Sequence, residues 1–114
     1  MMPRVVRFAV ADVVLDPKAV ATSLRDACVS RSSPRCVTGV CQFDELLAFV
    51  LSPTTMADAT ATQYVLAPVP DTTATGISTV LSERWQAGFD VLGAIAAGEG
   101  TFFLVLTARR DASA

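Results

Sequence analysis

Residues 85–98 read WQAGFDVLGAIAAG. A helical pattern runs up to Gly88, and a dense apolar run begins at Phe89. Helices commonly end on a residue in the left-handed conformation, which glycine adopts without a Cβ clash. An apolar residue just beyond often packs back on the last turn. Gly88-Phe89 therefore reads as a helix cap followed by a packing anchor, with a strand after it.

The same reasoning extends in both directions along the chain. Upstream of the cap, Ile77, Val80, Leu81 and Trp85 form an apolar stripe at helical spacing, and Thr79, Ser82, Glu83 and Gln86 form the polar side. Asp71 or Thr72 is suited to cap that helix. Gly76 costs it about 1 kcal/mol against alanine, so tertiary packing must hold it. Residues 63–70, QYVLAPVP, read as a strand whose prolines place it at a sheet edge or strand end. Downstream, residues 89–96 and 101–109 read as strands joined by AGEG, a connection of hairpin length.

Nearer the start, residues 4–15, RVVRFAVADVVL, are rich in Val and Phe and read as a strand. Asp16-Pro17 then opens a helix as N-cap and first-turn proline. Its apolar positions are Val20, Leu24, Ala27 and Cys28, with Lys18, Thr22, Arg25 and Asp26 toward water. Residues 36–51 are apolar and mostly extended in character. Asp44-Glu45 interrupts them, as a turn, a bulge or a helix start, with strand favoured on both sides. Residues 52–62, SPTTMADATAT, read as a loop.

This order approximates βαββαβ with an added C-terminal strand. It predicts one α+β domain over residues 1–114, a ferredoxin-like two-layer sandwich with a mostly antiparallel sheet. Several strands are apolar on both faces, which implies that both faces are covered. A second copy packed on the sheet is the economical cover, so the chain is expected to form a homodimer or larger homo-oligomer. Phe103 and Val105 are the expected interface residues. The alternative is an apolar small molecule in a pocket between the open face and the 52–62 loop, lined by Arg7, Asp12 and Tyr64.

Composition narrows the function classes. Apolar residues make up 52% of the chain and charged ones 18%. The usual charged share is about 25%, so the chain has little polar surface to spare. The net charge is −2, which gives no basic field for nucleic acid. No apolar run approaches the ~20 residues of a spanning helix. The N-terminal segment lacks a signal-peptide layout, so the expectation is a cytoplasmic protein without membrane contact.

There is no histidine, which removes the commonest general base and metal ligand. Cys28, Cys36 and Cys41 match no metal-site or disulfide pattern and read as free thiols. No metal or cofactor is expected. Cys36, beside Arg35, is the best nucleophile candidate, though buried cysteines are usually inert. Asp44 and Glu45, adjacent in an extended chain, point apart and do not make an acid–base pair.

From Tyr64 to Arg109 the chain resembles the DUF4177 family of uncharacterised bacterial domains. The likeness lies in VLSERWQAGFDVLGAI, residues 80–95, and FFLVLTARR, residues 102–110. Phe89 stands where that family usually has Trp, and Asp90 stands at its acidic position. The family carries no established activity, so the resemblance implies a fold. The combined expectation is a self-associating interaction or assembly module rather than an enzyme.

Overall fold

The computed structural model describes residues 2–30, 32–69, 73–98 and 101–109. The first strand, β1 (Arg4–Ala9), is shorter than its composition predicts. The chain turns at Val10 into a short helix, α1 (Val10–Leu15). Val10 and Val13 are buried three residues apart, while Ala11, Asp12, Val14 and Leu15 face out. Core packing of that valine pair overrides the strand preference of β-branched residues.

Asp16 separates α1 from α2 (Pro17–Cys28), and its carboxylate accepts the Ala19 N–H at 3.1 Å. Val20, Leu24 and Cys28 are buried from α2, as their spacing predicts. Next come β2 (Arg35–Phe43) and β3 (Leu46–Pro53), joined by a two-residue turn at Asp44-Glu45. Asp44 takes φ +54°, a conformation that Asp tolerates better than most residues.

The expected 52–62 loop is the end of β3 followed by a helix, α3 (Met56–Ala61), with Thr55 capping the Asp58 N–H. Then follow β4 (Thr62–Val69), α4 (Ala74–Gln86), β5 (Asp90–Ala96) and β6 (Phe102–Arg109). Thr73 caps α4 through the Gly76 N–H; the expected caps, Asp71 and Thr72, lie outside the described residues.

Gly88 has φ +89°, and the Phe89 N–H donates to the Arg84 carbonyl, so the junction is the cap that the sequence predicts. Phe89, like Ile77, Val80 and Leu81, packs against the buried cluster of Ala67, Val69, Leu104 and Leu106. Trp85 departs from the predicted stripe and is 71% exposed.

The expected single ferredoxin-like sheet is two antiparallel three-stranded sheets, ordered β1-β3-β2 and β4-β6-β5. Each hairpin, β2–β3 and β5–β6, takes in the strand that precedes its own helix. The chain is therefore two strand–helix–strand–strand units, each with its last strand in the middle. Both units carry a register shift in their second strand, between Val37 and Gly39 and between Val91 and Gly93.

One core joins the units. Val37, Leu47, Phe49 and Leu51 of the first sheet meet Val13, Val20 and Leu24 of the helices, and Leu66, Ile95 and Val105 of the second sheet. The other face of the second sheet, with Val69, Leu104 and Leu106, packs on α4. Both faces of β4 and β6 are thus covered from within the chain, which is the cause of their two-sided apolar pattern.

The units also meet where β2 runs beside β5. The Gln42 amide donates to the Ala96 carbonyl at 2.8 Å and accepts the Ala96 N–H at 2.9 Å, which replaces two ladder bonds between the sheets. Close by, a Cβ on Gly93 would lie 2.6 Å from Val40 Cγ1. Val40 has a stiff χ1 in a strand and gives way poorly. Gly93→Ala is expected to cost about 1–3 kcal/mol, as overpacking does. In the Val40→Ala background the same change should cost much less. Chemical denaturation of the four proteins checks this, and equal costs in both backgrounds would contradict the contact.

Candidate functional site

The sequence-predicted site residues do not converge. Arg7 is exposed in the middle of β1, on the uncovered face of the first sheet. Asp12 is exposed in the first turn of α1. Its predicted place on a strand face is corrected by the helical turn at Val10. Tyr64 is 7% exposed and points into the core between the units. Its hydroxyl accepts the Val37 N–H at 2.9 Å and lies 3.8 Å from Cys28 Sγ. Burial raises the pKa of both Tyr64 and Cys28 by disfavouring their charged forms.

Phe103 and Val105, the expected interface pair, are 6% and 0% exposed. They lie on the sheet face that packs against the first unit, so a charge there would unfold the domain rather than split a dimer.

Cysteine chemistry has no evident support. Cys28 is buried, Cys36 is half-buried and Cys41 is exposed, and all three are free thiols. Arg35 donates from Nη1 to the Ser33 carbonyl and from Nη2 to the Met2 carbonyl, both at 3.2 Å, while its buried Nε has no hydrogen-bond partner among the described residues. Among the described residues no group of three or more Cys, Asp or Glu is placed to hold a metal ion. No described helix is long and apolar enough to cross a membrane.

Two surfaces remain. The first is the face of the β1-β3-β2 sheet that turns away from the core. Its register sets Val5 opposite Val50, Ala48 between Arg7 and Cys41, and Leu46 between Ala9 and Phe43. Val5, Phe43 and Leu46 are each more than half exposed. The face is apolar across all three strands, with Arg7 among them.

The second surface is a groove of about 750 Å³ between α2 and β4. Residues of both strand faces line it, from Gln63 to Pro68, so its wall is the edge of β4 rather than one face. Lys18 and Arg25 of α2 and Arg84 of α4 also line it, and its lining contains no carboxylate. Arg25 is steadied by a 2.9 Å hydrogen bond to the Thr60 carbonyl. The helical spacing of Lys18 and Arg25 was readable from sequence, but the juxtaposition with β4 and Arg84 is created by the fold.

Comparison of the chain with protein-family models, with curated proteins and with solved structures finds no match.

Proposed function

We propose that this domain is a self-associating interaction or assembly module that joins copies through the open face of its first sheet. The observation that carries this reading is the trio Val5, Phe43 and Leu46, set on one sheet face around Ala48 and Val50 and left more than half exposed. Contiguous apolar surface of this kind usually marks association. β4 and β6 of the second sheet supply the contrast, because their apolar faces are both covered. We read the role as cytoplasmic and non-enzymatic; the sequence offers no histidine as a general base.

The likeness of residues 64–109 to DUF4177 belongs to the same reading. The order β4, α4, β5, β6 supports it. The parallel outer strands of each unit, split by a third, are the element shared with ferredoxin-like folds.

Light scattering after size exclusion tests the proposal. The wild-type chain is expected at twice its 12.0 kDa or more. Leu46→Glu is expected to elute as a monomer with unchanged circular dichroism, since Leu46 is exposed within the single chain. A wild-type monomer at high micromolar concentration would overturn the reading.

A further inference from the structure

We propose that the groove between α2 and β4 binds an acidic peptide in extended conformation, which adds to the edge of the second sheet beside β4. Three features point there, and none of them depends on self-association.

First, β4 lies at the edge of its sheet, with β6 as its neighbouring strand among the described residues. An edge strand presents a row of backbone donors and acceptors that an extended chain pairs with. Pro68 cannot donate, which ends the pairing at Ala67.

Second, the space is strand-shaped. It follows six consecutive residues of β4, a length of roughly 17 Å at the rise of a strand. Val65 and Ala67 contribute apolar lining from the α4 side of the pleat, Tyr64 and Leu66 from the side that packs on α2, and Ala21 contributes from α2 itself.

Third, its charge has one sign. Lys18, Arg25 and Arg84 line the groove without a carboxylate, in a chain whose net charge is negative. Lys18 and Arg25 are seven residues apart, about 10.5 Å along the helix axis. Arg84 comes from a different helix. A strand with several acidic side chains can meet all three of these cations along its length. This spacing favours an acidic peptide over a compact anionic metabolite. The charge also supplies selectivity that an apolar edge alone would lack.

The test uses the full chain labelled with ¹⁵N and a capped hexapeptide of alternating valine and glutamate. Two further peptides serve as comparisons: one with lysine for glutamate, and one N-methylated at alternate positions. The glutamate peptide is expected to give saturable shifts at the amides of Gln63–Ala67 and Ala21. It should bind at least tenfold tighter than the lysine peptide, and more weakly as salt is raised. N-methylation, which removes ladder donors, should weaken binding at least tenfold. The Lys18→Glu, Arg84→Glu double variant should reverse the preference between the glutamate and lysine peptides. Lys18→Gln, Arg84→Gln is a milder second variant that should abolish the preference.

The titration is repeated in the Leu46→Glu background, so that loss of self-association and loss of peptide binding are read separately. No saturable shift at millimolar peptide, equal binding of the N-methylated peptide, or shifts confined to the open face of the first sheet would each overturn the proposal. Tighter binding of decanoate than of the glutamate peptide would also overturn it, in favour of a single-anion amphiphile.

Discussion

The Phe49→Ala variant is expected to lose about 3–5 kcal/mol of stability, the cost of truncating a fully buried aromatic in a well-packed core. Phe49 sits on β3, the middle strand of the first sheet, opposite Val6 and Val40, and is 0% exposed. Its ring meets Phe8 edge to face, with centroids 5.8 Å apart and an interplanar angle of 82°. That contact alone contributes about 0.5–1.5 kcal/mol beyond buried area. Domains of this size have about 5–15 kcal/mol in total, so the variant loses a large share of its stability. Phe8, half-buried at the sheet's edge, should cost less when truncated. Urea unfolding of the two variants checks the order. If Phe49→Ala cost less than about 1 kcal/mol, the first sheet would not pack on α1, α2 and the second sheet as described, because a cavity of that size is felt only in a closed core.

That core was partly legible in the sequence. Local signals with one physical cause read correctly: Asp16-Pro17 starts α2, Val20, Leu24 and Cys28 face inward, and Gly88 ends α4. Signals that depend on distant partners did not. The run from Val10 to Leu15 is strand-like in composition, yet it is helical because two valines three apart fit the core beneath Leu47 and Phe49. Strand alternation showed that sheet faces were apolar on both sides, but it does not say which neighbour covers which face. Hence Phe103 and Val105 were expected at a surface and are buried, while the uncovered face belongs to Val5, Phe43 and Leu46. The groove shows the same division. Lys18 and Arg25 are visible as a cationic line on α2, whereas Arg84 joins them from 59 positions beyond Arg25 only through the packing of β4.

The domain is expected to unfold in alkali, and Tyr64 is the reason. Its hydroxyl is held between the Val37 N–H and the Cys28 thiol, and it is the chain's single tyrosine. Burial disfavours the phenolate and raises the group's pKa above its ordinary 10.0; the pKa of the neighbouring Cys28 thiol is likewise raised above 9.0, mainly by burial. The sign follows from linkage. The folded state binds both protons more tightly than the unfolded state, so this stability is complete below pH about 9 and is lost as pH rises through and beyond those ordinary values. Absorbance at 295 nm reports tyrosinate directly. The native protein should show none near pH 10, and ionisation should appear together with the loss of far-ultraviolet circular dichroism in one cooperative step. Tyr64→Phe should lower stability at neutral pH by about 1–3 kcal/mol, because the Val37 N–H is then left in the core without its acceptor. The variant should also lose stability less steeply above pH 10, with Cys28→Ala removing most of what remains of that slope. A tyrosinate signal that rises at pH 10 with the fold intact would show that the phenol meets water, and the join between the two units would then be looser than its buried hydrogen bond implies.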